Sequence, residues 1–316
     1  MRVHQLVGKT PLVEMPLVEF DIDLYGKLEL NNPTGSVKDR SAHYMLESLL
    51  SKEVINKKTK VVESSSGNFA ISLSAFSKYL GIDFTAVIDP IINPMNEFLI
   101  KSHGGNIVKV DEVDVNGGYL LTRIAKVKEI ISEENAYWTN QYSNKLNAEA
   151  YKKTLGKEIL EELDLDYIFL GVSSGGTIAG VSQAMKSFNA KIKVIAVDIV
   201  GSVIFGGLPK KRYIPGIGAG MRGSIIDDAI IDEVIVVDER DSITGCKDLV
   251  SEQNIFAGGS SGTVYFAIKE YFKNHSLNYK PKVAMIICDK GERYFDTIYN
   301  REWVLEKFGE KNVLHR

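Results

Sequence analysis

Short apolar runs alternate with amphipathic stretches along most of the chain. Three runs rich in β-branched and aromatic residues lie in the first half, at positions 61–63, 84–88 and 107–110. Each is followed by a loop and then by a segment with helical periodicity, at positions 69–80, 95–103 and 119–132. Because strands that alternate with helices are typical of parallel sheets, the pattern predicts three consecutive βα units.

The third of these helices should bury one apolar face. Its apolar residues recur at spacings of three and four positions, at Leu120, Ile124, Val127 and Ile131. This periodicity predicts that the stripe packs against a sheet, whereas Arg123, Lys126 and Lys128 lie off it.

Four further apolar runs predict a second series of strands, at positions 167–172, 193–198, 234–237 and 283–288. A lysine-containing loop at positions 31–40 precedes the first series. We therefore expect the chain to begin in one lobe, to build the other, and to return to the first near Ser143. Clefts between two lobes are common ligand sites.

Composition favours small-molecule chemistry. With 316 residues, 44% of them apolar, the chain can bury a sizeable core in two lobes. The formal net charge of −3 gives no excess of basic residues for nucleic acid or a membrane surface. Cys246 and Cys288 are far apart in the sequence, so we expect neither a disulfide framework nor a metal site. With no signal-peptide pattern and no long apolar run, the sequence predicts a cytoplasmic protein.

The loop at positions 171–177, G-V-S-S-G-G-T, is the strongest candidate for chemistry. It lies between an apolar strand and a predicted helix. Backbone N–H groups at a helix start, together with serine and threonine hydroxyls, suit a phosphate dianion. A tight turn that only requires small residues is the competing interpretation.

Four other loops carry polar or glycine residues, at positions 31–40, 63–68, 256–263 and 289–294. The serines and Asn68 of the loop at 63–68 could hold a carboxylate or a ring oxygen, although a serine-rich helix N-cap has the same composition. Lys38 alone would be an ordinary solvated charge. Because parallel strands place functional groups at their carboxyl ends, all five loops together indicate one binding site.

These motifs, in this order, resemble the cysteine synthase branch of the fold-type II pyridoxal 5′-phosphate (PLP) enzymes over nearly the whole chain. In that family N-P-x-x-S-x-K carries the cofactor lysine, here Lys38, and S-G-N carries the asparagine facing the pyridine 3-oxygen, here Asn68. The serine of S-S-G that lies beside the pyridine nitrogen is here Ser260. The loop that holds the cofactor phosphate corresponds to Ser173, Ser174, Gly175, Gly176 and Thr177.

The resemblance implies a two-lobed α/β fold of the tryptophan synthase β type, with a mostly parallel sheet flanked by helices in each lobe. It implies a smaller mobile domain of residues 34–145 and a larger domain of residues 1–33 plus 146–316, which holds the PLP phosphate. It also implies a homodimer. Lys38 would form an imine with PLP and then move the α-proton of the substrate. A neutral serine at the ring nitrogen limits the electron sink and favours β-elimination over transamination.

Substrate residues follow from the same resemblance. The α-carboxylate of an amino-acid substrate would be bound by Ser65, Ser66, Gly67 and Gln141. Cysteine synthases usually have phenylalanine and glycine where this chain has Tyr142 and Ser173. Because fixed hydroxyls discriminate by hydrogen bonding, these two departures argue against plain sulfide as the acceptor.

Three stretches, at positions 116–127, 201–206 and 215–219, are similar to the N-(2-amino-2-carboxyethyl)-L-glutamate synthase subgroup of siderophore biosynthesis. That similarity implies β-replacement on O-phospho-L-serine through an aminoacrylate, with the amine of L-glutamate as nucleophile and phosphate as the second product. The basic residues available for such acidic substrates are Arg123, Lys210, Lys211, Arg212, Arg222 and Arg293. Among all candidates, Arg123 and Tyr142 are the first choices for recognising the second substrate.

Two alternatives stay open on the sequence. A cysteine synthase or another sulfur-handling β-replacement enzyme would share every cofactor loop and differ in the pocket. A non-catalytic regulatory paralogue would keep the fold, although the presence of Lys38, Asn68 and Ser260 argues against it. The role of Asp289 is also open, because it could adjust the ring-nitrogen side or only cap a strand end.

Overall fold

Two sheets organise the chain, as the alternation of strands and helices predicts. The computed structural model describes residues 2–114, 117–275 and 277–309. Residue 116 of the stretch at 116–127, and residues 1, 276 and 310–316 of the predicted larger domain, lie outside the described residues.

The larger sheet has six strands, and its strand order is β1-β2-β10-β7-β8-β9. These strands are β1 (Leu12–Glu14), β2 (Asp23–Lys27), β7 (Tyr167–Gly171), β8 (Lys193–Ile199), β9 (Glu233–Val237) and β10 (Lys282–Ile286). All neighbours pair in parallel except β1 and β2, which are antiparallel.

The smaller sheet has four parallel strands in the order β5-β4-β3-β6. They are β3 (Lys60–Ser64), β4 (Phe84–Ile88), β5 (Asn106–Lys109) and β6 (Ala136–Trp138). Every residue of β4 is buried, because helices cover both faces of a parallel sheet. The predicted α/β fold with two sheets is therefore confirmed, whereas the domain boundaries stay a prediction.

Ten helices flank the sheets within the described residues. They are α1 (Lys38–Ser51), α2 (Asn68–Leu80), α3 (Pro94–Ser102), α4 (Leu120–Glu133), α5 (Lys145–Tyr151), α6 (Lys157–Glu162), α7 (Gly176–Phe188), α8 (Glu239–Gln253), α9 (Gly259–Asn274) and α10 (Arg301–Phe308). A π-helical segment, Lys152–Gly156, joins α5 to α6. A short 3₁₀ turn, Gly291–Tyr294, follows β10.

The structure corrects two local expectations and adds three strands that the sequence pattern did not predict. The segment at 256–263 is not a loop throughout, since α9 already begins at Gly259 and Ser260 lies in its first turn. The sequence pattern did not predict β1, β2 or β6, which are short or close to the N-terminus. In α4, Ile131 is 37% exposed. The buried face instead contains Val127 and Ile130, which are three positions apart.

Across the described ranges, no helix is both long and apolar enough to cross a bilayer. Within the same residues, no group of three or more histidine, cysteine or acidic side chains is arranged to hold a metal ion. Both cysteines are free thiols.

A buried cluster of charges anchors the start of α1. The guanidinium of Arg40 bonds both carboxylate oxygens of Glu29 at 2.6 and 2.7 Å, and both oxygens of Glu158 at 2.7 Å. Lys27 joins the cluster through Glu158 at 3.3 Å, and Arg40, Glu29 and Lys27 are all buried. Burial raises the pKa of Glu158, but the hydrogen bonds and the charge of Arg40 outweigh burial and lower this pKa to about 2. The helix turn that begins at Lys38 is thereby attached to the larger sheet.

We expect Arg40→Ala to lower the free energy of unfolding by about 3–5 kcal/mol, because it leaves the buried carboxylate of Glu29 and the partly buried carboxylate of Glu158 without their main partner. Lys101→Ala is the matched control, since it removes a cation from an exposed pair with Glu97 and should cost under about 1 kcal/mol. Urea denaturation of both variants measures the difference. Equal losses in the two variants would contradict the role given to the buried cluster.

Candidate active site

One cavity of about 210 Å³ opens where the carboxyl ends of strands from both sheets converge. Its wall contains nearly all residues that the sequence singled out, namely Lys38, Ser65, Ser66, Gly67, Asn68, Arg123, Gln141, Tyr142, Ser173, Ser174, Gly175, Thr177 and Ser260. The wall also contains residues not predicted as site residues, among them Val37, Ser64, Phe69, Pro215, Cys288 and Asp289. The fold thus brings together residues from all five polar segments, the one at 256–263 contributing Ser260 from the start of α9.

The loop between β7 and α7 has the features of an anion cradle. The first amides of α7 have no acceptor within the helix, because they precede its first full turn. Gly175 has φ 93°, and a Cβ there would lie 3.2 Å from the nitrogen of Ile226. The buried Oγ of Ser174 has no hydrogen-bond partner among the described residues, whereas Ser173 Oγ donates to the carbonyl of Gly218 at 3.1 Å. Of the two serines in this loop, Ser174 is therefore the one whose hydroxyl is free to bind a ligand.

Gly176 is the one predicted site residue that does not line the cavity. A Cβ at this position would lie 2.5 Å from the Asn147 side chain. Asn147 in turn donates to the carbonyl of Gln141 at 2.7 Å. The small residue at position 176 therefore lets α5 approach α7 and supports the loop that carries Gln141.

Lys38 is the first residue of α1, and its half-buried side chain lies in the cavity wall. The backbone before it is paired with the larger sheet, since Val37 donates to the carbonyl of Cys288 at 2.8 Å and Ser36 bridges to Asp289. Ser260 lines the same cavity from the first turn of α9 and is 6% exposed. The amine and this hydroxyl therefore enter one cavity from different helices.

Asn68 begins α2 and contacts two charged residues that follow β10. Its Nδ2 donates to Asp289 Oδ2 at 2.7 Å, and its Oδ1 accepts from Arg293. Asp289 is 1% exposed and also accepts from the Tyr294 hydroxyl at 2.6 Å. Burial raises the pKa of Asp289, while Arg293, Tyr294, Asn68 and Lys38 act to lower it. Asp289 is thus a buried member of the cavity wall that bonds a predicted cofactor residue.

Glu63 holds the loop that carries Gln141 and Tyr142. It is fully buried at the end of β3, and burial raises its pKa. Its carboxylate accepts a hydrogen bond from the Thr139 hydroxyl at 2.6 Å. It also accepts from the Trp138 indole N–H and from the backbone N–H of Gln141, both at 3.2 Å. This acidic residue was not predicted as a site residue. Its place directly before the S-S-S-G-N loop was the only sequence signal for it.

Arg123 reaches the cavity from α4, although the helical stripe places it off the buried face. It pairs with Asp89 at 2.9 Å and donates to Ser66 Oγ at 3.1 Å. Its buried Nε has no hydrogen-bond partner within the described residues. Burial raises the pKa of the Tyr142 phenol, while the charges of Arg123 and Arg212 act to lower it. Two arginines therefore lie within electrostatic reach of Tyr142.

The other basic candidates are placed differently. Arg293 is directed to Asn68 and to the carbonyl of Thr34. Arg222 pairs with Asp227, and Lys210 belongs to a surface depression away from Lys38. Lys211 lies over the Tyr213 ring at 5.3 Å. Arg123 is the only one of the six basic candidates in the cavity wall.

A family model described as "Pyridoxal-phosphate dependent enzyme" matches residues 3–289. The chain belongs to this family. The expectations that it is an enzyme and that its cofactor is PLP are thereby confirmed.

Solved structures of similar proteins agree with this assignment. A hydrogen sulfide-producing enzyme from Fusobacterium nucleatum is 26% identical, with a TM-score of 0.86 over 93% of this chain and 99% of that one. An O-acetylserine dependent cystathionine β-synthase from Helicobacter pylori is 26% identical, with a TM-score of 0.86 over 95% and 99%. An O-ureido-L-serine synthase is 25% identical, with a TM-score of 0.85 over 98% and 96%. The chain is therefore a fold-type II PLP enzyme of the cysteine synthase and cystathionine β-synthase type.

The residues in the cavity fit PLP. Ser174 and the start of α7 can hold a phosphate, Lys38 supplies an amine for the aldehyde, and Ser260 supplies a neutral partner for a ring nitrogen. The orphaned hydroxyl of Ser174 is the observation that supports this fit most directly, because buried polar groups rarely lack a partner. When bound, PLP withdraws electrons from an amino-acid substrate.

We expect Ser174→Ala to raise the dissociation constant of PLP about tenfold or more, since it removes a hydrogen bond to a charged phosphate. The stability of the PLP-free protein should hardly change, because this hydroxyl has no protein partner among the described residues. Ser173→Ala is the control and should raise the constant less, because its hydroxyl already bonds Gly218. Fluorescence titration with PLP measures both constants, and an unchanged constant in Ser174→Ala would contradict the assignment.

Proposed function

We propose that the protein catalyses β-replacement on O-phospho-L-serine, with the amine of L-glutamate as the incoming nucleophile. The products are N-(2-amino-2-carboxyethyl)-L-glutamate and phosphate, as in siderophore biosynthesis. The observation that carries this proposal is Arg123, which lines the cavity with Lys38 and has a buried, unpartnered Nε among the described residues. An arginine suits carboxylate or phosphate groups, whereas a sulfide acceptor does not require one.

Hydroxyl groups support the same substrates. Ser64 lines the cavity, and its buried hydroxyl has no partner within the described ranges. Tyr142 adds a phenol that lines the same cavity as Arg123. In the proposed reaction Ser65, Ser66, Gly67 and Gln141 bind the α-carboxylate of the donor. Lys38 would take the α-proton from the donor, and bound PLP would supply the electron sink that loss of the phosphate group requires.

A sulfur-handling β-replacement enzyme is the second candidate. It is favoured by two of the similar structures, one described as a hydrogen sulfide-producing enzyme and one as an O-acetylserine dependent cystathionine β-synthase. The two candidates share the cofactor loops and differ in the acceptor pocket.

We also propose a cytoplasmic homodimer, on the basis of the resemblance to the family. A monomeric mass in sedimentation equilibrium would exclude the dimer.

The proposal predicts phosphate release that requires both O-phospho-L-serine and L-glutamate, with a product of the mass of their adduct. Purified holoenzyme is incubated with each donor and acceptor pair, and products are identified by mass spectrometry. Lys38→Ala should form no adduct. Consumption of sulfide with O-acetylserine, without any glutamate adduct, would favour the second candidate instead.

Arg123→Lys and Tyr142→Phe should each raise KM for one of the two acidic substrates by about tenfold, the loss expected for a charged hydrogen bond. Asp89→Asn is the control for Arg123, because it removes the ion pair but keeps the guanidinium in the cavity. Initial rates of phosphate release give KM and kcat for each variant. Unchanged kinetics in both variants would remove these two residues from substrate recognition.

A further inference from the structure

The carboxamide of Asn68 is held at both ends by charged side chains that follow β10. Asp289 accepts a hydrogen bond from its Nδ2 at 2.7 Å, and Arg293 donates to its Oδ1. Asn68 belongs to the helix that follows β3 of the smaller sheet, whereas its two partners follow a strand of the larger sheet. The contact therefore joins the two sheets at the cavity.

Charge determines which way this amide points. A carboxylate only accepts and a guanidinium only donates, so the NH₂ group must face Asp289 and the oxygen must face Arg293. One hydrogen of the NH₂ group is used by Asp289. The second is left for a ligand, since Asn68 lines the cavity.

Both partners are themselves fixed. Asp289 Oδ2 also accepts from the Tyr294 hydroxyl at 2.6 Å, and a Cβ at position 258 would lie 2.1 Å from Asp289 Oδ1, so glycine there leaves room for the carboxyl. Arg293 is 7% exposed and donates to the carbonyl of Thr34. Its own carbonyl accepts from Asn93 at 3.2 Å. Neither side chain can turn away without breaking these contacts.

We propose that Asp289 and Arg293 are positioning residues that act through Asn68, holding one of its N–H bonds toward the ring oxygen of bound PLP. This inference rests on the cofactor site that the family resemblance implies, in which Asn68 faces that oxygen. A hydrogen bond to the ionised ring oxygen favours its ionised form. The ratio of the absorbance bands of the two cofactor forms, with the ring oxygen ionised and un-ionised, therefore reports whether Asn68 donates a hydrogen bond to this oxygen.

The test is a double-mutant cycle read on the absorbance spectrum of the holoenzyme. Asp289→Leu removes the acceptor at similar size and should change the band ratio by about two- to tenfold, the effect of one hydrogen bond. Asp289→Asn keeps an acceptor oxygen and should restore most of the ratio. Because Asp289 acts through Asn68, Asp289→Leu should add little to the change already caused by Asn68→Ala.

Two further variants make the outcome unambiguous. Glu292→Gln removes one negative charge from the same turn at an exposed position and should leave the spectrum unchanged. If Asp289→Leu does not fold, Arg293→Met is used in the same cycle, because it removes the donor at the other end of the amide. Full additivity with Asn68→Ala, or an unchanged spectrum, would overturn the positioning role.

The cycle also separates this inference from the assignment of the cofactor site. If the wild-type protein forms no visible band with PLP, the assignment of Lys38 fails. If the band forms and the cycle is additive, the cofactor site stands and only the positioning role of Asp289 and Arg293 fails.

Discussion

Backbone pairing between the segment before Lys38 and the end of β10 is the contact on which the candidate active site depends. Val37 bonds the carbonyl of Cys288, and Ser36 pairs with Asp289. Because α1 begins at the next residue, this pairing places the Lys38 amine at the carboxyl edge of the larger sheet. The buried salt bridges of Arg40 hold the same turn from within the protein. Parallel strands of both sheets then direct their following loops into the same cavity.

Buried polar groups around the cavity fall into two classes. Glu63 accepts hydrogen bonds from three donors and Asp289 Oδ2 accepts from two, and these contacts fix the loops of Gln141 and Asn68. By contrast, the hydroxyl of Ser174 lies buried without a partner among the described residues. The first class ties each of these loops to a neighbouring element. The second class offers hydrogen bonds that only a ligand can satisfy.

Proteins with the same fold as this chain catalyse different reactions. Proteins described as a hydrogen sulfide-producing enzyme, a cystathionine β-synthase and an O-ureido-L-serine synthase share this fold with TM-scores of 0.85 to 0.86. These proteins are named for different substrates or products, so the fold alone does not select one reaction. In this chain Tyr142, Ser173 and Arg123 line the cavity. We propose that Tyr142 and Arg123 contribute to the choice of substrate on this shared fold.

The sequence by itself determined the fold class, the order of the polar loops and the family, because strand and helix periodicity and short glycine-rich motifs are local properties. It did not determine that Arg123 turns from a helix into the cavity, or that Arg293 and Asp289 hold Asn68. Residues 68 and 289 are 221 positions apart, and only the packing of two sheets brings them within 2.7 Å. Contacts of this kind depend on tertiary distances, which no local pattern encodes.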